Sequence, residues 1–181
     1  MTKMFEPSIL GFPVNSCWEV IDDPKVKRVL KYKEDEMAKV ITASAKLKKP
    51  AQGFLILGSP MTGKTTLASM IAKRVFEKAG DFEVYYDTQD SVLRREDVYS
   101  LEKSLPVNSV CVLDDLTVCD KQWQINLITA TVKKILSWSA IPVFVTSMSH
   151  DQMSDCYGSA FFNRMKKRCN LVHLKPVTED D

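Results

Sequence analysis

The segment from residue 58 to residue 65 constrains the fold more than any other, and it reads Gly-Ser-Pro-Met-Thr-Gly-Lys-Thr. It follows an apolar run at 53–57, typical of a buried strand, and precedes a helix-compatible stretch at 65–79. A glycine-rich loop that joins a strand to a helix and ends in Gly-Lys-Thr predicts a P-loop for a nucleoside triphosphate. A strand-to-helix turn that matches by chance is the alternative, but strand, loop and helix all agree with phosphate binding.

The chemistry of the loop assigns roles to its residues. Its glycines allow the backbone N–H groups to point inward at phosphate oxygens, next to the positive end of the helix dipole. We expect Lys64 to reach the β- and γ-phosphates and the hydroxyl of Thr65 to bind Mg²⁺. The residues expected to line the nucleotide are Gly58, Ser59, Pro60, Met61, Thr62, Gly63, Lys64, Thr65 and Thr66.

Length, charge and cysteine content indicate the number of domains and the cellular compartment of the protein. A chain of 181 residues suits one domain, and a net charge of +2 requires any nucleic-acid contact to come from a local patch. Five cysteines without a Cys-x-x-Cys pair favour a reducing compartment, and no stretch is apolar enough for a leader or a membrane span. We therefore expect a cytoplasmic protein with an irregular segment at 1–22, an ATPase domain at 23–176 and an acidic tail at 177–181.

Helical and strand patterns alternate along the chain. Strands are predicted at 53–57, 82–86, 107–113, 142–146 and 170–174, and helices at 23–47, 65–79, 120–139 and 161–168, with helix-compatible residues between 87 and 106. Such alternation predicts an α/β fold, a three-layer P-loop NTPase with a five-stranded parallel sheet and the P-loop at its carboxyl edge.

Two neighbouring aspartates end the predicted third strand. Asp114 is expected to hold Mg²⁺ and Asp115 to act as the base or to orient the attacking water, because a P-loop site needs acidic groups on an adjacent strand. The alternative is that both residues only terminate the strand and cap the next turn. Their place on a separate apolar strand after a P-loop favours the functional interpretation.

Two further groups are candidates for catalysis. Thr146 and Ser147 follow the fourth strand and could position water beside the γ-phosphate, or simply cap the strand end. Arg164 and Arg168 lie four apart, on one helix face, and one of them could stabilise transition-state charge at a neighbouring subunit's nucleotide. Without further context, a solvated basic helix end explains the two arginines better.

Over roughly residues 18 to 175 the chain resembles the AAA+ ATPases of the DnaC type, the replicative-helicase loaders, and their IstB-type relatives. The resemblance is carried by four segments in order: Gly58 to Ala68, Val112 to Leu116, Pro142 to Ser147, and Phe162 to Arg168. It implies an AAA+ core without a helical lid domain, of the kind a minimal, phage-encoded version of the loader would have.

The resemblance also implies roles for residues. Lys64, Thr65, Asp114 and Asp115 would handle ATP and Mg²⁺, and Thr146 or Ser147 would fall near the sensor-1 position. Arg168 matches the trans-acting arginine best and Arg164 second, while the adenine would lie near residues 18–21. Met148 stands where this family usually has asparagine, and the stretch from 87 to 108 is short for the segment that shapes a nucleic-acid-binding spiral.

The leading hypothesis is an ATPase of DNA replication that loads or remodels a replicative helicase and forms a homo-oligomer when ATP is bound. Single-stranded DNA could contact Lys166 and Lys167 or the basic helix, although a solvated outer face is the slightly favoured interpretation of that helix, whose basic residues are Lys25, Lys27, Arg28, Lys31 and Lys33. The alternatives are the motor core of a superfamily 3 viral helicase or packaging ATPase, and a nucleotide-switched binding module with little turnover. A small-molecule kinase is less compatible, because no arginine-rich lid follows a third helix.

Overall fold

The computed structural model describes Phe12 and residues 53–79, 83–95, 109–137 and 141–175. The predicted basic helix at 23–47, the segment at 18–21 expected near adenine and the tail at 177–181 lie outside these residues. Among the described residues, no helix is both long enough and apolar enough to cross a membrane.

The described residues form five strands and five helices, which alternate except that two helices precede the last strand. In order they are β1 (Gly53–Gly58), α1 (Lys64–Ala79), β2 (Glu83–Thr88), α2 (Gln89–Arg95), β3 (Ser109–Leu116), α3 (Gln122–Ser137), β4 (Ile141–Thr146), α4 (His150–Tyr157), α5 (Ser159–Arg168) and β5 (Cys169–Leu174). All strand pairs are parallel, and the order across the sheet is β2-β3-β4-β1-β5. The predicted five-stranded parallel α/β fold is confirmed.

The sheet separates two apolar layers, because successive side chains of a strand point to opposite faces. Phe54 and Ile56 of β1 join the residues of α1 on one face. Leu55 and Leu57 join the helices α2 to α5 on the other face. Both faces of the central strands are therefore buried, which explains their nearly continuous apolar sequences.

The parallel arrangement determines which loops meet. The ends of β1, β3 and β4 lie at the carboxyl edge of the sheet, where ligands bind in open α/β folds. The start of β5 lies at the amino edge, since Cys169 pairs with Gly53 and Leu174 pairs with Gly58. The P-loop follows Gly58, and Arg168 precedes Cys169. The two therefore lie at opposite edges of the sheet within one chain.

Several elements differ from the sequence prediction. Strand β3 runs to Leu116, beyond the predicted end at 113, and so contains both aspartates. Helix α4 was missed, although Ser149 and Gln152 form a capping box whose Ser-x-x-Gln spacing is visible in the sequence. Helix α5 also begins at Ser159, two residues before the predicted start at 161.

Candidate nucleotide site

The P-loop holds its shape through its own polar groups. Lys64 Nζ donates a hydrogen bond of 2.7 Å to the carbonyl oxygen of Ser59, and Thr62 Oγ1 donates one of 2.9 Å to the same oxygen. Gly63 and Met61 have φ angles of 82° and 63°, in the left-handed region. Glycine adopts this region readily, whereas Met61 does so at a steric cost that the surrounding loop must offset.

Close packing and the helix start also shape the loop. A Cβ atom on Gly58 would lie 2.6 Å from the carbonyl oxygen of Leu174 and 2.8 Å from Thr62 Oγ1, so only glycine fits there. The N–H of Leu67 makes a bond of 2.9 Å to the carbonyl of Gly63. The N–H groups of residues 64–66 precede this bond and thus form the anion-attracting end of α1.

Asp114 is buried beside the P-loop and surrounded by donors. Only 4 % of the residue is exposed. Its Oδ1 accepts the N–H of Asp115 at 2.7 Å, and its Oδ2 accepts the hydroxyl of Tyr86 at 2.9 Å. Burial raises the pKa of Asp114 above its usual value, and these hydrogen bonds oppose that shift.

Asp115 is the exposed member of the acidic pair. Leu113 pairs with Phe144 and Leu116 with Thr146, so two residues of β3 stand opposite one of β4, as in a β-bulge. Asp115 has a φ of 55°, which aspartate tolerates better than most residues. The bulge thus turns the Asp115 side chain out to solvent while Leu116 returns to the core.

Lys64 shares an electrostatic environment with both aspartates. Burial lowers the pKa of the Lys64 ammonium, while the charges of Asp114 and Asp115 raise it. The predicted lysine, threonine and acidic pair are therefore in one cluster. Burial raises the pKa of Asp114 and the Thr65 side chain lowers it, so these two oxygen groups lie close together, and hard oxygen ligands suit Mg²⁺.

The two polar residues at the end of β4 differ in their surroundings. Thr146 is fully buried, and its Oγ1 donates to the carbonyl of Leu116 at 2.6 Å and accepts the N–H of Met148 at 3.0 Å. The Thr146 hydroxyl thus joins β4 to β3, whereas Ser147 is exposed at the same edge. Met148 is buried in the apolar layer of α3 to α5.

The basic residues of α5 lie away from this cluster. Arg164 and Lys167 are exposed and Arg168 is half-buried at the end of the helix. Lys166 places its ammonium 5.3 Å from the centre of the Phe162 ring. Within one chain, neither Arg164 nor Arg168 joins the aspartates.

Sequence reasoning missed two contributors to the site. One is Tyr86, which the strand pattern placed correctly but to which it assigned no role. The other is a buried network in which Gln89 Oε1 accepts the N–H of Thr117 at 3.0 Å and the hydroxyl of Tyr157 at 3.0 Å. The Tyr157 hydroxyl also lies 2.7 Å from the carbonyl oxygen of Thr117, so its single proton is shared between Gln89 Oε1 and this carbonyl, next to the loop after Asp115. No motif predicts these long-range contacts.

Comparison with known proteins identifies the architecture. No family model and no curated protein matches the chain. Among solved structures, the DnaC helicase loader superposes with a TM-score of 0.68 at 20 % identity, covering 90 % of this chain and 98 % of that one. The structure titled DnaI gives a TM-score of 0.61 at 15 % identity, covering 94 % of each chain.

A third similar structure is the replication initiator DnaA bound to AMPPCP and single-stranded DNA. Its TM-score is 0.58 at 17 % identity, and the match covers 90 % of this chain and 50 % of the DnaA chain. The chain has the fold of the DnaC-type AAA+ ATPases. The resemblance predicted from the sequence is thus confirmed for the AAA+ fold.

Proposed function

We propose that this chain is a cytoplasmic ATPase of DNA replication that binds ATP with Mg²⁺ and loads or remodels a replicative helicase. One observation carries the proposal: the parallel sheet brings the P-loop after β1 and the Asp114–Asp115 pair of β3 to the same carboxyl edge. The sheet thus joins the two halves of a nucleotide site where the fold predicts a ligand. The nucleotide in the DnaA structure supports the same assignment.

Each residue of the cluster has a distinct task. The Lys64 ammonium would exchange its bond to Ser59 for a phosphate oxygen, and the N–H groups at the start of α1 would hold the others. Thr65 and Asp114 would hold Mg²⁺, which neutralises charge that develops on the phosphates. Asp115, turned outward by the bulge, would orient water and accept its proton, with Ser147 beside it.

The direct test is ATP turnover by the purified chain, compared with Lys64→Ala. We expect phosphate release that requires Mg²⁺ and that falls by about 100-fold or more in the variant, because a lost charge-stabilising group typically costs that much. Absence of nucleotide binding by the unaltered chain would contradict the proposal.

An arginine of α5 would complete the site in a second copy. Cys169 pairs with Gly53 at the amino edge, so Arg168 cannot reach the P-loop of its own chain. Arg168 is favoured over Arg164 because it lies at the end of the helix, as the resemblance implies. ATP would then promote assembly, since the nucleotide lies between two copies.

Mixing two inactive variants tests the arginine in trans. Lys64→Ala retains Arg168, and Arg168→Ala retains the P-loop, so equal mixing should restore part of the turnover that neither variant shows alone. Arg164→Ala in place of Arg168→Ala identifies which arginine acts. Full activity of both arginine variants on their own would exclude this role.

The replication partner is tested by affinity capture from host cytosol. With a non-hydrolysable ATP analogue, we expect the immobilised chain to retain a replicative helicase, and without nucleotide to release it. Lys64→Ala is the matched control, because it keeps the surface but not the nucleotide response. Equal capture by both proteins would argue against an ATP-dependent loader.

Contact with single-stranded DNA is supported by the exposed basic end of α5 and by the DNA in the DnaA structure. Binding through phosphates predicts that affinity falls steeply as salt rises. We expect the double variant Lys166→Ala with Lys167→Ala to bind more weakly and with a smaller salt slope. The double variant Lys121→Ala with Lys133→Ala, at two exposed lysines outside α5, provides a charge-matched control, and an unchanged slope in the α5 variant would remove α5 from the interface.

A nucleotide-switched binding module is the second candidate. It is favoured by the burial of Met148 and by the internally bonded hydroxyl of Thr146, which leave few polar groups from β4 for the γ-phosphate. Tight ATP binding with turnover that Asp115→Asn does not change would select this function.

A further inference from the structure

Two tyrosines are adjacent on β2 and point to opposite faces of the sheet. Tyr86 faces the layer of α1, and its hydroxyl donates to Asp114 Oδ2 at 2.9 Å. Tyr85 faces the other layer, and its hydroxyl donates to Glu83 Oε2 at 2.8 Å. Only Tyr86 therefore contacts the acidic group that would hold the metal.

We propose that Tyr86 positions the Asp114 carboxylate for Mg²⁺, and that Phe12 keeps Tyr86 in the required orientation. This inference rests on the proposed function and names a residue that the phosphate-binding motif does not include. Tyr86 would act through Asp114 and would touch neither nucleotide nor metal.

The contacts of Asp114 show why a positioning group is needed. The N–H of Asp115 fixes Oδ1, but this contact alone leaves the carboxylate able to turn about its Cβ–Cγ bond. The hydroxyl of Tyr86 fixes Oδ2 from the neighbouring strand and so defines the carboxylate plane. Thr65, the other expected metal ligand, lies in the first turn of α1 at the same carboxyl edge of the sheet. Partners of this outer kind commonly change metal affinity by 10- to 100-fold.

Phe12 packs against the ring of Tyr86. It is only 2 % exposed, and its ring centre lies 4.3 Å from that of Tyr86 at an interplanar angle of 39°. Such close contact between rings restricts the rotation of Tyr86 and keeps its hydroxyl directed at Asp114. A residue far upstream of the P-loop is thus connected to the metal site through one side chain.

The test measures equilibrium binding of a fluorescent ATP analogue as Mg²⁺ is titrated. For Tyr86→Phe we expect the Mg²⁺ concentration that gives the half-maximal gain in affinity to rise by about tenfold or more. The affinity without Mg²⁺ should stay as in the unaltered chain, because the P-loop and Lys64 are untouched. Tyr85→Phe, which removes the adjacent hydroxyl, should leave both values unchanged.

Two results would overturn the inference. An unchanged Mg²⁺ dependence in Tyr86→Phe would show that the hydroxyl does not position Asp114. Equal loss of metal-free and Mg²⁺-dependent affinity, with a lower melting temperature, would show that Tyr86 only supports the fold. If the unaltered chain binds no nucleotide, the proposed function fails and this inference with it, so the two failures are distinguishable.

Phe12→Leu tests the upstream half while keeping an apolar side chain of similar volume. In the chain that keeps Tyr86, we expect Phe12→Leu to raise the Mg²⁺ concentration that gives the half-maximal gain in affinity. In Tyr86→Phe, the second substitution should cause no further rise. Additive effects of the two substitutions would show that Phe12 acts independently of the Tyr86 hydroxyl.

Discussion

Strands β3 and β4 are neighbours in the sheet, and each has two polar residues at or next to its carboxyl end, of which the first is buried and the second exposed. Their hydrogen bonds differ. Asp114 accepts hydrogen bonds from the Tyr86 hydroxyl and the N–H of Asp115, so its carboxylate remains an acceptor. Thr146 donates to Leu116 and accepts from Met148, so its hydroxyl is used within the chain.

This difference separates a site from a structural contact. A carboxylate has about four acceptor positions, so donors can orient it and still leave room for a metal ion. A hydroxyl has one proton, and once that proton is given to a carbonyl it is no longer available to a ligand. The end of β3 therefore has the character of a binding site, and the end of β4 connects two strands. Substitutions at the two ends should have opposite effects on function and stability.

Asp115→Asn should give the largest effect at the β3 end. Removal of the exposed carboxylate should lower ATP turnover by about 100-fold or more while nucleotide affinity stays within a few-fold, since a general base acts on the chemical step. Phosphate release and equilibrium nucleotide binding, measured on one preparation, check this expectation. A parallel loss of affinity would assign Asp115 to binding.

Asp114→Asn should weaken the Mg²⁺-dependent part of nucleotide affinity by about tenfold or more and also stabilise the ligand-free chain by about 1 kcal/mol. The sign follows from burial, which raises the pKa of Asp114 in the fold. Because the pKa of this acid is raised in the fold, protonated Asp114 contributes to the free energy of unfolding at low pH. This contribution is lost as the pH rises through the pKa of Asp114 in the folded state. The neutral amide avoids that loss, so urea denaturation near pH 8 should show the gain. A destabilised variant would mean that the charge itself supports the fold.

Thr146→Val should show the reverse pattern at the β4 end. The nearly isosteric change leaves the carbonyl of Leu116 and the N–H of Met148 without their partner, at a cost of about 1 to 2 kcal/mol in unfolding free energy. Nucleotide affinity should change little. Ser147→Ala is the matched control and should leave stability unchanged while lowering turnover a few-fold. If Thr146→Val lowered turnover at full stability, Thr146 would belong to the site.

Ser149→Ala should have the smallest effect, about 1 kcal/mol, because it removes the N-cap of α4. The melting temperature should fall slightly, with turnover unchanged once the temperature is well below the transition. A larger loss of turnover would indicate that α4 transmits strain to the β4 end.

The sequence predicted those parts of the molecule that depend on local patterns. The apolar runs predicted the five strands. The P-loop and the acidic pair, each following a strand, predicted that the site lies at the carboxyl edge of the sheet. The bulge at Asp115 could not be predicted, because it arises from unequal pairing of β3 with β4. The roles of Tyr86 and Gln89 could not be predicted either, because their hydrogen-bond partners lie 28 residues away in the sequence. The burial of Thr146 likewise depends on packing between strands.

The P-loop and Arg168 lie at opposite edges of the sheet, and this placement determines how many complete ATP sites an assembly contains. If each ATP site is completed by the arginine of the next copy, an open row of n copies contains n − 1 complete sites and a closed ring contains n. Turnover per copy would then increase with the length of the row and reach its maximum only on closure. The rate itself would report how many copies stand together, and a terminal copy would always keep one unused loop or one unused arginine for a different partner.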